Sequence, residues 1–425
     1  MRIAELRYVF RMLLHAARMA IGLMKKLNAS LPEGDVMVPF FEYSIDALLS
    51  FESGDFKEEK ELMDGLAIVL QEIDLHVFQE VWTQRLDFYF RACVKRPSLL
   101  HLSQVLFQQK TVSQTIVSTT LKHFSGKLEA LGDSDDVTAS MILRFFKMTF
   151  SVVGIHPEAN EPVLATHLGR LIMDSFPLAA KASRPLYYFH LMRALFRAIG
   201  SGGGRYEMLY KEVLPLLPEM LDCLNRQLMA ADAQTKDLLV ELCLTVPLRL
   251  THLLPHLHYL MKPLVLALQG GPELVSQGLR TLELCIDNLI GDFLDPILRP
   301  VLRELMEALH SHLKPLPGSH HHAHTTIRIL GKLGGRNRRL LDEKPSLSYK
   351  PYSDPATLTV SFSGRQEAIQ LGPIAGLSAG LLSKTNSSDK IHAYNYLEHT
   401  LTYLLNEVSR VFSLLDALRL VEKNA

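Results

Sequence analysis

The chain has 425 residues, and 45 Lys and Arg side chains balance 45 Asp and Glu side chains, so its formal charge at pH 7 is zero. A neutral chain has no overall field that would attract nucleic acid or an anionic membrane, and direct nucleic-acid binding is therefore not expected. No uncharged apolar run reaches the roughly 18 residues of a membrane-spanning helix, so we expect a soluble protein without a membrane segment.

The N-terminal 26 residues form a basic, amphipathic segment. Its apolar residues recur at helical spacing, which predicts a helix packed on the rest of the protein. A mitochondrial presequence has similar features and stays open as an alternative, whereas Arg7, Arg11 and Arg18 interrupt any signal-peptide core. The apolar stripe comprises Leu6, Val9, Phe10, Leu13, Leu14, Ala17 and Ile21.

Helical periodicity dominates the chain up to about residue 341, in stretches of roughly 12 to 20 residues, which is a normal helix length. Helix pairs are predicted over about 36–124 and 136–199. Aromatic and methionine residues at 143–150 and 186–196 have helical spacing, and we interpret both stretches as core.

Polar breaks separate these helices. The acidic turn at 131–136 offers Asp135 or Asp136 as a helix cap. Glycines at 200–204 predict a flexible joint. The charged run at 57–61 is interpreted as a solvent-exposed helix face.

Residues 292 to 313 show the expected packing in detail. Two neighbouring rows of apolar residues would form one broad buried face. Asp292 can cap the helix, Pro296 lies near the first turn, and Pro300 lies deeper, where proline bends a helix. The rows are Phe293, Ile297, Val301, Leu305, Leu309 and Leu313, and beside them Leu294, Leu298, Leu302 and Met306.

The helical segments repeat after 37 residues. A two-helix unit of about this length, with a proline in the first helix and an arginine in the second, is typical of HEAT-type repeats. Neither helix can bury its apolar face alone, so the sequence predicts an all-α, HEAT-type α-solenoid of stacked helix pairs. The repeated pieces are Leu217-Pro218 with Leu254-Pro255 and Pro263 with Pro300, and the arginines are Arg280 and Arg328.

The pattern changes after residue 341. Three prolines and one alternating piece, Leu358, Val360 and Phe362, predict an irregular insertion with a loop or short β-hairpin. Helical periodicity then returns. The predicted parts are N-terminal helical repeats over 1–199, HEAT-type repeats over 200–341, the insertion over 342–388, and C-terminal helices that continue the solenoid over 389–425.

The four cysteines are scattered and form no CxxC pair. This distribution predicts buried thiols in a reducing compartment rather than a disulfide framework. The cysteines are Cys93, Cys223, Cys243 and Cys285.

A histidine-rich stretch before residue 325 is the first candidate site. His320 and His324 would share a helix face in ligand geometry for zinc, and His312, His321 and His322 are near in the sequence. A zinc site needs three or four ligands with supporting contacts, and no cysteine or paired carboxylate lies close by. We interpret the stretch as a hydrophilic entry into a helix and assign no metal.

A glycine-rich stretch follows, and its lysine invites comparison with a phosphate loop. A phosphate loop follows a strand and carries Ser or Thr after the lysine, whereas these glycines follow a helical pattern. They fit the end of a helix, where arginines favour the negative end of the dipole. That basic cluster could also touch nucleic acid, although chain neutrality does not favour this. The residues are Gly331, Lys332, Gly334, Gly335, Arg336, Arg338 and Arg339.

Gly376, Ser378 and Gly380 match the GxSxG pattern of a nucleophile elbow. That motif works only where a strand of a packed sheet presents the serine and an acid and a histidine follow at a distance. The nearest such residues are Asp389 and His392, and no parallel sheet is predicted. A serine esterase that uses Ser378 is therefore the least favoured alternative.

Two parts of the sequence resemble a known family. Residues 277–289 with 292–296, and residues 327–338, resemble the HEAT region of the transformation/transcription domain-associated protein (TRRAP-like) family, the very large inactive relatives of phosphatidylinositol-3-kinase-related kinases. The similarity covers about 206–342, is weaker before it, and continues at 358–371. The FAT and pseudokinase portions of that family lie outside this sequence, so we expect a part of a longer protein.

The resemblance implies a nuclear scaffold similar to the subunit that brings SAGA-type histone acetyltransferase complexes to promoters. Its implied partners are transcription activators and coactivator-complex subunits, with no membrane and no small-molecule substrate. We assign no catalytic, cofactor-binding or metal-binding residue, and interpret the chain as a non-enzymatic scaffold. A solenoid does not specify its partner, so a HEAT-repeat adaptor in transport or phosphatase regulation stays as an alternative.

Overall fold

The computed structural model divides into two compact units, one formed by Met1–Gln227 with Thr245–His252, and one by Leu228–Leu244 with Leu253–Ala425. The described part is helical apart from three short strands. None of its helices is long and apolar enough to cross a membrane. The described residues are 3–51, 56–201, 205–246, 250–312, 320–333, 347–349, 357–362 and 365–370.

The helices of the first unit are α1 (Ile3–Lys26), α2 (Gly34–Ser50), α3 (Phe56–Glu72), α4 (Leu75–Lys95), α5 (Leu100–Gln108), α6 (Ser113–Ser125), α7 (Asp136–Val153), α8 (Pro157–Lys181), α9 (Leu186–Ser201) and α10 (Glu207–Val213), with α11 (Leu217–Met229) ending at its boundary. Each of α1 to α10 packs on a helix two places away along the chain. The odd-numbered helices α1 to α9 therefore form one layer and the even-numbered helices α2 to α10 the other. The predicted stacking of helix pairs is confirmed in this unit.

Aromatic side chains fill the space between the two layers. The ring centroids of Tyr89 in α4 and Phe145 in α7 lie 6.1 Å apart, and those of Phe124 in α6 and Phe145 lie 4.9 Å apart. The aromatic stretches predicted as core are confirmed. Their buried rings are Phe145, Phe146, Phe150, Tyr188, Phe189 and Phe196.

Helix α1 buries only part of its predicted apolar stripe. Phe10, Leu14 and Ile21 are buried, whereas Leu6 and Leu13 are 40% and 58% exposed. Because α1 packs chiefly on one neighbour, α3, only a narrow face is covered.

The charged run at 57–61 makes specific contacts, and its interpretation as a solvated face is wrong for two glutamates. Glu58 pairs with Arg7 of α1 at 3.2 Å. Glu59 pairs with Arg96 at 3.1 Å, and both side chains are less than one fifth exposed. These ion pairs connect α3 to its neighbours.

Asp135 caps α7, which decides between the two candidates at this turn. Its Oδ1 accepts hydrogen bonds from the backbone N–H groups of Val137 and Thr138, both at 3.0 Å. Asp136 accepts a hydrogen bond from the Tyr187 hydroxyl at 2.6 Å instead. The cap satisfies amide groups that the first turn of a helix leaves open.

The second unit contains α12 (Lys236–Leu244), the end of the short α13 (Leu250–Leu253), α14 (His258–Leu268), α15 (Pro272–Asn288), α16 (Gly291–Leu298), α17 (Leu302–Ser311) and α18 (His320–Leu333). Helix α14 packs on α12, α15 and α17, and α15 also packs on α18. Stacked helices therefore form this unit as well.

Proline-containing 3-10 turns interrupt the helices at Leu214–Leu216, Leu254–His256 and Arg299–Val301. The last contains Pro300, so the helix is interrupted at the proline for which the sequence predicted a bend. The prolines at the centres of these turns lie 40 and 45 residues apart. The spacing of the turns is thus longer than the 37-residue spacing in the sequence and lies close to the range of HEAT repeats.

The buried face of α16 is narrower than predicted. Leu294 and Leu298 are buried, whereas Phe293 is 39% exposed. Asp292 does not cap the helix, because it lies inside the first turn and Ile290 occupies the N-cap position. After the 3-10 turn, Leu302, Leu305, Met306 and Leu309 of the predicted rows are buried.

Three short strands form an antiparallel sheet in the order β1-β2-β3, with β1 at Leu347–Tyr349, β2 at Thr357–Phe362 and β3 at Arg365–Gln370. Val360 pairs with Leu347 on one side and with Glu367 on the other. Strand β2 coincides with the alternating piece of the sequence. The rest of the insertion at 342–388 and the predicted helices over 389–425 lie outside the described residues.

Candidate functional site

A cavity of about 580 Å³ lies between α7 and α9 in the first unit, and we call it the α7–α9 groove. Its described lining residues lie on these two helices. Helix α7 contributes Lys147, Phe150 and Ser151, and α9 contributes His190, Arg193, Ala194, Arg197 and Ala198.

The spacing of residues along α9 produces this groove. The lining residues recur every three or four positions and so share one helix face. Ala194 and Ala198 have short side chains, which leave room where longer ones would fill the space between the helices. Leu195 and Phe196 are buried on the other side and fix the helix in place.

The groove is basic because its helices lack acidic side chains. After the first residue of α7, neither helix contains Asp or Glu, while Arg144, Lys147, Arg193 and Arg197 are all basic. The single acid, Asp136, is already bound by Arg184 and Tyr187. The described lining contains three cations and one histidine, and His190, Arg193 and Arg197 each take part in a further interaction.

The arginine side chains of the lining are hydrogen-bond donors of the kind that bind anions. A guanidinium group has five N–H donors in a fixed planar fork, which match carboxylate or phosphate oxygens. Ser151 is the hydroxyl of the lining, and it donates to the carbonyl of Met148 at 2.8 Å.

Sequence reasoning missed the groove, although a signal was present. The stretches at 143–150 and 186–196 were interpreted only through their aromatic rows. Basic residues lie between those rings in the sequence, and the lack of acids beside them indicated a basic surface.

The predicted histidine cluster is partly described. His322 Nε2 lies 2.9 Å from the Ser276 hydroxyl, and His312 Nε2 lies 2.7 Å from the Leu268 carbonyl oxygen. The two imidazole centroids are 6.1 Å apart. Within the described part of the chain, no group of three His, Cys, Asp or Glu side chains could hold a metal. The side chains of His320, His321 and His324 lie outside that part.

Of the other candidate residues, some lie in the described part of the chain and others lie outside it. Helix α18 includes Gly331 and Lys332, and Leu333 is its last residue. Lys332 donates hydrogen bonds to Glu283 and Asp287, both at 2.8 Å, so it serves as an ion-pair partner here. The residues outside the described part are Gly334, Gly335, Arg336, Arg338, Arg339, Gly376, Ser378, Gly380, Asp389 and His392.

All four cysteines are free thiols, and three are buried, as the sequence predicted. Burial raises the pKa of Cys93 and of Cys243 to about 12, and that of Cys285 to about 11. Such thiols stay protonated and are poor nucleophiles at neutral pH.

Comparisons with known proteins extend the resemblance over almost the whole chain. A TRA1 subunit of the SAGA and NuA4 acetyltransferase complexes from Saccharomyces cerevisiae is 39% identical over 395 residues, which cover 92% of this chain and 10% of that protein. The human transformation/transcription domain-associated protein is 39% identical over 317 residues, 74% of this chain and 8% of that protein. This chain thus spans about a tenth of the length of these relatives.

Among solved structures, importin beta gives a TM-score of 0.42 with 11% identity over 92% of this chain and 45% of that chain. An engineered protein gives a TM-score of 0.41 with 11% identity over 100% of this chain and 98% of that chain. Scores of this size add nothing to the family assignment.

Family models give the assignment directly. The model for the Tra1 HEAT repeat central region matches residues 1–316, which include every helix of the first unit. The model for the Tra1 HEAT repeat ring region matches residues 328–423. Together with the identity to the yeast and human proteins, these matches show that the chain belongs to the Tra1 HEAT-repeat family.

Proposed function

We propose that this chain is part of the scaffold subunit of a histone acetyltransferase coactivator complex of the SAGA or NuA4 type, and that it acts in the nucleus without catalysis of its own. The observation that carries the proposal is the 39% identity to the yeast SAGA/NuA4 subunit across 92% of the chain. The stacked helices support a scaffold role, because such repeats present extended surfaces for other proteins.

Within this role, grooves between neighbouring helices bind transcription activators and other subunits of the complex. Segments of partner proteins commonly dock in grooves of this kind through side chains at regular spacing. The α7–α9 groove supports the proposal because it combines charged donors with an apolar floor at Phe150 and Ala194.

Affinity purification of the full-length protein tests the proposed function. The protein is tagged in its own cells and recovered from nuclear extract, and acetyltransferase activity toward histones is measured in the eluate. We expect the activity to co-purify, and an immobilised activation segment to retain the complex. An untagged strain controls for background.

A different set of partners would contradict this assignment. Recovery from the cytoplasm with transport receptors or phosphatase subunits, and without acetyltransferase activity, would support the adaptor alternative instead.

A further inference from the structure

We propose that the outer face of α1 and α2 is an internal packing surface, and that a further helix pair of the same polypeptide covers it. The outer face is the side of α1 opposite α3 together with the side of α2 opposite α4. Its apolar residues are Val9, Met12, Ala16, Met19 and Leu23 on α1, and Val36, Phe40, Tyr43 and Ala47 on α2.

Helix α1 has an exposed apolar stripe opposite α3. Its α3 side is marked by the buried Phe10 and Leu14 and by the ion pair of Arg7 with Glu58. Met12 lies two residues from both Phe10 and Leu14, which is about 200° around a helix with 3.6 residues per turn. The exposed members of the stripe are Val9 (43%), Met12 (48%), Met19 (53%) and Leu23 (53%).

Helix α2 repeats this arrangement opposite α4. Glu42 pairs with Arg85 of α4 at 3.0 Å, and the preceding Phe41 is buried. Tyr43 lies on the other side of the helix and is 73% exposed, and Val36 is 56% exposed. Both helices therefore present apolar side chains on the side where the described part of the chain supplies no neighbour in the same layer.

The inner helices of the unit show what such a face accommodates. Helix α3 packs on α1 and on α5, and α4 packs on α2 and on α6. Arg7 and Glu58, which join α1 to α3, are 51 residues apart, and Lys25 and Glu72 are 47 residues apart. By the same rule, the helix that covers the other side of α1 lies about 50 residues earlier in the polypeptide, close to the length of one HEAT repeat.

The chemistry of the outer face is that of an inner repeat. End repeats of a solenoid carry a polar outer face, which keeps them soluble. The stripes on α1 and α2 are apolar instead, and exposed apolar surface of this extent marks a site of interaction. The yeast and human relatives are about ten times longer than this chain, so a polypeptide of this family has further residues from which such a pair can form.

A helix pair added in the same orientation covers both stripes at once. It repeats the contacts that α1 makes with α3 and that α2 makes with α4. A second copy of the chain related by a two-fold axis would bring the same faces together in opposite directions, which repeats neither contact. The packing inside the unit therefore favours a helix pair of the same polypeptide as the occupant.

Photo-crosslinking in the full-length protein, purified with its complex, tests the inference. A benzophenone amino acid replaces Met19 in one variant and Tyr43 in another, and mass spectrometry identifies the peptides that each probe captures. We expect both probes to capture the same polypeptide at positions about 50 residues earlier than the probe. A probe in place of the exposed Lys122 of α6 is the control and should not capture that segment.

Thiol reactivity provides a second measurement that does not depend on capture. In the full-length protein, we expect Met12→Cys and Met19→Cys to react with iodoacetamide at least roughly tenfold more slowly than Lys122→Cys, because a covered thiol reacts only when the helices separate. Urea-denatured protein gives the full reactivity of each thiol. Unfolding midpoints in urea confirm that each variant is folded.

Three results would overturn the inference. Crosslinks between differently isotope-labelled copies would assign the outer face to a second copy of the chain. Crosslinks to another subunit would assign it to a partner protein. Equal reactivity of Met19→Cys and Lys122→Cys would show that the face is open to solvent.

The inference rests on the proposed function in one respect, that the chain is part of a longer scaffold subunit. The two can fail separately. Capture of the earlier segment without co-purified acetyltransferase activity contradicts the proposed function alone. Capture of a second copy or of another subunit, with normal co-purified activity, contradicts the inference alone.

Discussion

At the scale of single residues, two buried polar groups of the first unit, on Trp82 and Tyr89, have partners on other helices. Trp82 Nε1 donates to the Thr120 hydroxyl at 3.2 Å, and both residues are 1% exposed. The Tyr89 hydroxyl donates to the Leu99 carbonyl at 2.7 Å. Burial raises the pKa of Tyr89 well above its ordinary value, so the phenol stays neutral. These contacts fix the positions of aromatic rings that would otherwise pack by shape alone.

The Trp82–Thr120 hydrogen bond gives a residue-scale prediction. Thr120→Val keeps the shape of the side chain but leaves the indole N–H buried without its acceptor, which we expect to destabilise the protein by about 1–3 kcal/mol. Trp82 is the single tryptophan of the chain, so its fluorescence in a urea titration reports unfolding at this position.

Thr119→Val is the matched control. The Thr119 hydroxyl donates to the Thr115 carbonyl within its own helix, so its loss should change stability by less than about 0.5 kcal/mol. An equal shift of the unfolding midpoint for the two variants would contradict a specific role for the indole contact.

Single residues also mark the limit of sequence reasoning. The acidic turn at 131–136 and a cap by Asp135 or Asp136 were predictable, because turn and cap preferences are local. The requirement for a glycine at position 132 was not predictable. A Cβ atom there would lie 2.4 Å from the Ala182 Cβ and 2.7 Å from a Tyr188 ring atom. That close approach depends on residues about 50 positions away.

At the scale of elements, an ion-pair network joins α15 to α18. Glu283 accepts hydrogen bonds from Arg328 Nη2 at 2.6 Å and from Lys332 Nζ at 2.8 Å. Lys332 also donates to Asp287 at 2.8 Å. The Glu283 side chain is 17% exposed, so the pair is screened less than a surface pair.

The network predicts a pH-dependent contribution to stability. Burial alone would raise the pKa of Glu283, but hydrogen bonds from Arg328 and Lys332 outweigh it and hold the pKa below the ordinary value of 4.5. A carboxyl whose pKa is lower in the folded state stabilises the fold above its unfolded pKa. This contribution is lost as the pH falls from 4.5 through the folded value.

We therefore expect Glu283→Gln to lower the free energy of unfolding at pH 7 by about 1–2 kcal/mol. The difference from wild type should shrink below about pH 4.5, and urea titrations at several pH values measure it. Arg280→Gln, an exposed position on the same helix, is the control and should show no such trend. A gap between Glu283→Gln and wild type that stays constant down to pH 3 would refute the assigned ion pair.

Element prediction succeeded where the signal was the period of apolar residues. Helices, their stacking and the break at Pro300 followed from spacing and from proline geometry. Which side of α1 is buried could not be predicted from the sequence. Phe10 and Leu13 are both strongly apolar, and only the position of α3 decides which one is covered. The α7–α9 groove was missed for a related reason, since it needs two helices distant in sequence to lie side by side.

At the scale of the whole molecule, the thiols are distributed over both units. Cys93 is buried in the first unit, and Cys243 and Cys285 are buried in the second, whereas Cys223 is half-buried. Each buried thiol can therefore report on the unit that contains it.

Thiol alkylation followed by mass spectrometry should resolve the two units. Without denaturant, we expect iodoacetamide to modify Cys223 and to leave the other three thiols unmodified, because they are inaccessible and protonated. With increasing urea, Cys243 and Cys285 should become reactive together. Fully denatured protein, in which all four react, provides the control. Rapid native labelling of Cys93 would contradict its burial.

Contacts between neighbouring helix pairs join residues that are only moderately separated in sequence. His101 contacts Asp64, 37 positions away, and the Tyr188 hydroxyl reaches the Leu128 carbonyl, 60 positions away. Low separation of this kind favours rapid folding, because little loop entropy is lost before a contact forms. A nascent chain can therefore complete each such contact soon after the second partner leaves the ribosome. For relatives about ten times longer than this chain, that order of events lets early portions mature during translation instead of waiting for the last residue.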